Sequence, residues 1–160
     1  DSDGQTNPEE FWNFWERRAV SPFIIGVRQN RLDGFSRKIV TNVLRMVLLA
    51  IFGVNVKDAN TPYRLMNAKL LSRYLEHIPG DFFLGNALLS TIAVKRNDSV
   101  TWIPITFKSR QGGENSIKLK RIFLIGVKAV IELIKFTRTS KEFLNGDFSY
   151  AEKMQNTISR

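Results

Sequence analysis

Apolar residues along this chain fall into runs whose spacing alternates between that of helices and that of strands. Phe11, Trp12, Phe14 and Trp15 follow Asn7-Pro8-Glu9-Glu10. There Asn7 can cap, Pro8 suits the first helical position and Glu10 completes a capping box, so a helix is predicted. Ser21-Pro22 breaks it, and the unbroken run Pro22–Val27 (PFIIGV) predicts a buried strand. Arg28 to Gly34 reads as a polar loop. Phe35–Phe52 reads as a second helix, closed by Gly53. Its Arg37, Lys38, Thr41 and Arg45 fall on one face, and Val40, Val43, Leu44 and Val47 on the other. Val54–Lys57 is read as extended, residues 58–62 as a turn, and Tyr63–Met66 as a short strand. Asn67 then caps a helix that runs to about His77.

Pro79-Gly80 interrupts the pattern, and Phe82–Lys95 reads as helical. Val100–Phe107 alternates and is rich in β-formers, so it predicts a strand. Pro104 within it argues for an edge or a bulge. Lys108–Asn115 is a loop containing Gly112-Gly113. The last long helix is predicted over Ile117–Phe136. Arg121, Lys128, Glu132 and Lys135 share one narrow face of it, and nearly all else is Ile, Leu, Val or Phe. Those charges argue against a simple membrane span. A wide apolar face with a cationic stripe is the pattern of an interfacial helix; the alternative is a helix that covers a second sheet face. From Thr137 the chain turns polar and reads as a surface tail. There is no internal repeat or low-complexity stretch.

Composition narrows the picture. With 160 residues and 43% hydrophobic content, the chain has the size and core of one domain. It has no cysteine, which excludes disulfides and thiolate chemistry and fits a cytosolic location. The lone His77 excludes multi-histidine metal sites. The formal net charge of +9 points to a polyanionic partner: nucleic acid, anionic lipid or a phosphorylated substrate. A nucleic-acid-binding module would interleave arginines with aromatics on one surface. Here the aromatics sit in apolar helix runs, and Trp12, Trp15 and Trp102 read as core, so no nucleic-acid partner is expected.

The candidate chemistry begins at the first residue. Asp1 and Asp3, followed by Gly4 and Gln5, can hold Mg²⁺ or Mn²⁺ through hard oxygen ligands against a diphosphate. Arg28, at a strand end, and Arg37 and Lys38, at a helix start, can face one phosphate group. Arg110, in a glycine-containing loop, can reach another.

These landmarks run in order: DSDGQ-x-x-P, a strand ending in GVR, RK opening a helix, KDANTPYRLM, DFFLGNALL and WIPITFKSRQGGENS. Together they resemble the second half of a family-2 glycosyltransferase. The resemblance covers roughly residues 1–136 and is nearest to bacterial membrane-associated enzymes similar to dolichyl- or polyprenyl-phosphate sugar transferases. It implies an α/β fold: the C-terminal part of a GT-A domain, a mixed sheet flanked by helices, with a C-terminal amphipathic helix. The implied organisation is a partial catalytic domain over 1–116, an interfacial helix over 117–136 and a polar tail over 137–160. The nucleotide-binding half that the family places before the acidic motif would then lie outside this sequence.

The resemblance also assigns roles. Asp1, Asp3 and Gln5 would bind the metal and donor diphosphate, with the cation acting as a Lewis acid on the leaving group. Arg28, Arg37 and Lys38 would bind an acceptor phosphate. Asp58 and Arg64 would line the active site, Arg64 holding structure or phosphate, or else the two would form a buried pair. Asp81 is the candidate base by position; as a bland alternative it caps the Phe82 helix. Relatives often carry an acidic pair or a Glu farther along, where this chain reads Leu84-Gly85-Asn86. Arg110 and Ser116 resemble an R-x-x-G-x-S lid with one extra residue. The implied activity is inverting transfer of a sugar from a nucleotide-sugar to a lipid-phosphate or glycan acceptor, at the cytoplasmic membrane face. The rival readings are a basic nucleic-acid-binding module and a non-catalytic membrane-surface protein.

Overall fold

The computed structural model describes residues 5–29, 35–108 and 119–146, with backbone alone at 35–38 and 119–123. It is a mixed α/β structure. The central strand β1 (Phe23–Gln29) is flanked by β2 (Arg64–Met66) on one side and β3 (Val100–Thr106) on the other. β1 runs antiparallel to β2 and parallel to β3, with Phe23 opposite both Met66 and Val100. A strand covered on both faces needs a continuous apolar run, and Phe23 to Gly26 are all buried. Pro104 sits on β3, which pairs only with β1 among the described strands, so its missing N–H breaks no ladder there.

One sheet face carries the main core. Phe23 packs there with residues from α2 (Phe35–Phe52), α3 (Ala68–Leu75), α4 (Gly85–Lys95), α5 (Leu119–Thr139) and α6 (Lys141–Asn145). The other face carries a smaller cluster, in which Phe14 of α1 (Glu10–Glu16) meets Ile24 and Ile105. Gly26 lies on this second face. A methyl group at that position would stand 2.8 Å from Ile105 Cδ1 and 3.0 Å from the Tyr63 carbonyl oxygen. That carbonyl accepts the Gly26 N–H at 2.9 Å and cannot retreat without losing the bond. Gly26→Ala is therefore expected to cost about 1–3 kcal/mol in urea unfolding.

Most predicted elements are present. α2 has the predicted ends, and Gly53, at φ 71°, donates its N–H to Leu49 O at 2.9 Å. Asn67 Oδ1 accepts from the N–H groups of Lys69 and Leu70, as a cap should. Five details differ. β1 extends through Arg28 and Gln29, which were read as loop. Val54–Lys57, read as extended, pairs with no strand among the described residues, and Val56 drops into the core. α4 starts at Gly85, because a turn with Phe82 N–H on Pro79 O precedes it. α5 continues to Thr139, and α6 folds Leu144 into the core where a polar tail was expected. Finally, Trp12 and Trp15 are exposed, not core, because Phe14 is the aromatic residue of α1 that packs on the sheet. Trp102 does pack against the main core.

Candidate functional site

Several of the sequence-derived candidates meet at the carboxyl end of the parallel strand pair. Open α/β sheets bind ligands at such ends, because helices and loops leave a crevice there. Arg28 lies near the end of β1. Its Nε donates to Asp58 Oδ2 at 2.8 Å and its Nη2 to Oδ1 at 2.7 Å, a two-pronged pair that fits the planar guanidinium. The Arg28 backbone N–H adds a third bond to Oδ2 at 3.2 Å. Both side chains are nearly buried, at 10% and 5% exposure. The Arg28 guanidinium also lies 5.1 Å from the ring centre of Phe107, just past β3.

Arg64 stands on the neighbouring strand β2. The alternative reading, a buried pair of Asp58 with Arg64, does not form, since Asp58 pairs with Arg28 instead. Among the described residues Arg64 donates to neutral oxygens only: Thr61 O from Nε at 3.1 Å and also from Nη2, Asn86 O at 3.0 Å, Ser90 Oγ at 3.3 Å and Ala59 O at 3.4 Å. It ties the 58–62 turn to the first turn of α4. Burial pushes its pKa down to about 10; nearby Asp58 opposes the shift and nearby Arg28 adds to it. Asp58 pairs with Arg28 and acts on Arg64 only through its nearby charge, so among the described residues the cluster carries two guanidinium groups to one carboxylate.

Gln5 joins the same end. Its amide Nε2 donates to Lys108 O at 3.0 Å, and its backbone O accepts the Lys108 N–H at 2.8 Å. Thr6 bridges to Phe107 beside it. Gln5 is buried and stapled to the strand end. Asp3 precedes it by two residues, and Arg110 follows Lys108 by two. Asp1, Asp3, Arg110 and Ser116 lie outside the described residues, as do the side chains of Arg37 and Lys38, although both sit in the first turn of α2. Among the described residues no three His, Asp or Glu side chains gather as a metal site.

Asp81 is exposed and has no hydrogen bond or ion pair among the described residues. It is not a helix cap, because Leu84 holds that position in α4. Sequence reasoning missed the Asp58–Arg28 pairing, and also a second buried network. In that network Tyr74 of α3 donates its hydroxyl proton to Asp98 Oδ2, and Arg96 Nε lies 3.7 Å from the same oxygen. Arg96 also donates to Phe143 O and stacks on the Phe143 ring, and His77 stacks on that ring at 3.8 Å. The local signals were Asn97 in a tight turn (φ 55°) and the adjacent Phe143-Leu144 in a polar stretch. No family model, curated protein or solved structure matches this chain.

Proposed function

We propose that this chain forms the acceptor side of an inverting glycosyltransferase of GT-A type. It would help move a sugar from a nucleotide-sugar donor to a lipid-phosphate or glycan acceptor at the cytoplasmic face of a membrane. The observation that carries this reading is the Arg28–Asp58–Arg64 cluster at the carboxyl end of the parallel strands, with two guanidinium groups to one carboxylate among the described residues. A phosphate-bearing substrate entering that end would meet positive charge in a half-buried setting, where electrostatic attraction is strong. Gln5 supports the reading because it anchors the acidic motif's chain beside the same strand end.

The donor set of Asp1 and Asp3 consists of hard carboxylate oxygens and suits Mg²⁺ or Mn²⁺. Gln5 would hold that segment in register through Lys108. A cation bound there supplies positive charge near a departing diphosphate. Arg28, Arg37, Lys38 and Arg110 would neutralise phosphate oxygens, and Ser116 would add a hydroxyl. Arg64 would position the 58–62 turn from behind. A lipid-phosphate acceptor is already ionised and needs no strong base; for a hydroxyl acceptor, Asp81 would take the proton.

The test offers radiolabelled nucleotide-sugars with polyprenyl phosphate to membranes from cells that express the gene encoding this chain. Label should move to lipid or glycan in the presence of Mg²⁺ or Mn²⁺. Asp3→Ala should lower the rate to about a hundredth or less. Transfer that ignores both the metal and Asp3, or no transfer to either acceptor class, sinks the proposal.

A further inference from the structure

Two long helices that contact each other both turn apolar residues outward. α2 gives Leu48 and Phe52 to the main core, and α5 gives Ala129, Leu133 and Phe136. The two helices also pack against each other. On α2 the outer face carries Val43, Met46 and Leu49, with Met46 68% exposed. On α5 it carries Leu124, Val127 and Ile131, with Leu124 60% and Ile131 61% exposed. Of the apolar face read from sequence, Leu44 and Val47 pack against the core, whereas Val40 and Val43 are exposed. Surface helices ordinarily place polar residues outside. Single exposed apolar residues need no explanation, but an exposed apolar stripe on each of two packed helices marks an interaction surface.

The charges beside the stripes identify what fits them. Lys128, Lys135 and Arg138 are exposed on α5. α2 contains no carboxylate. α5 contains one, Glu132, and it faces Lys128 at 3.6 Å. An anionic lipid leaflet offers the matching pair of features: an apolar boundary and negative headgroups above it. A second copy fits poorly, because it would press two cationic borders of a +9 chain together at low dielectric. Among the described residues no helix is long and apolar enough to cross a membrane.

We propose that α2 and α5 together form one lipid-docking surface that lies in the plane of an anionic leaflet. The apolar stripes enter the acyl boundary, and Lys128, Lys135 and Arg138 stay at the headgroups. This deepens the membrane-surface part of the proposed function by adding α2 to the helix expected from sequence. It does not depend on sugar chemistry.

The chain has no cysteine, so single probes can be placed cleanly. Met46→Cys, Ile131→Cys and Trp12→Cys would each carry an environment-sensitive dye. With vesicles of phosphatidylcholine and phosphatidylglycerol, the dyes at 46 and 131 should both shift to the blue, while the dye at 12 stays unchanged. Met46→Glu and Ile131→Glu should each lower co-sedimentation with those vesicles by roughly tenfold or more. Pure phosphatidylcholine and high salt should weaken binding in the parent chain. A blue shift at 131 without one at 46 overturns the two-helix surface. A shift at both that appears without vesicles and grows with protein concentration assigns the face to self-association and overturns the lipid assignment. No shift at either position overturns it outright. None of these readouts requires glycosyl transfer, so the two proposals can fail separately.

Discussion

Asp58→Ala is expected to destabilise the fold by about 3–5 kcal/mol, because it leaves the Arg28 guanidinium buried without a counter-charge. Three N–H groups lose their acceptor at once: Arg28 Nε, Nη2 and the backbone amide. Arg64 makes matters worse. It sits nearby, already has its pKa lowered by burial, and loses a carboxylate that favours its charged form. The alternative outcome rests on the same geometry. Where both partners of a buried pair become apolar, no charge is stranded, so Arg28→Met with Asp58→Leu should recover most of the loss. Urea unfolding of the parent, the two single variants and the double variant gives the coupling directly. A cost below about 1 kcal/mol for Asp58→Ala would mean that water reaches the Arg28 head and the pair is effectively a surface pair.

The features legible in the sequence were those fixed locally. α2 could be read from its apolar run and from Gly53, whose left-handed conformation ends a helix without steric cost. Asn67 could be read as a cap because its side chain satisfies the next turn's N–H groups. β1 could be read as buried because its apolar residues are consecutive. What failed was decided at long range. Trp12 and Trp15 look like core residues by type, but of the aromatic residues of α1 it is Phe14 that packs on the sheet. Asp58 could have met either arginine; the strand geometry brings it to Arg28, thirty residues away, with Arg64 left on carbonyls. α6 was invisible because five residues carry too little periodicity, and its Leu144 is held by partners far along the chain. The site followed the same division. The sequence singled out Arg28, Arg64 and Gln5, but their partners came only from the fold.

Asp98→Ala should carry a second large cost, again about 3–5 kcal/mol, since Arg96 and Asp98 are 4% and 1% exposed at the side chain. Tyr74 would also lose the acceptor of its hydroxyl proton. The pH dependence supplies the sharper test. Burial raises the Asp98 pKa above the ordinary aspartate value, while the Tyr74 hydrogen bond and Arg96 oppose the shift. Asp98 Oδ1 is buried with no hydrogen-bond partner among the described residues, which is why desolvation outweighs both. The folded state therefore binds a proton more tightly than the unfolded chain does. The contribution from this group is fully present below the unfolded-state pKa and is lost as pH rises through the higher folded-state pKa. Asp98→Asn keeps an acceptor for Tyr74 but cannot titrate. Thermal unfolding of the parent and Asp98→Asn should diverge as pH falls through that window, with the parent gaining relative to the variant. Parallel curves would show that the carboxylate stays equally ionised in both states, and that the Tyr74 and Arg96 contacts fully offset its burial.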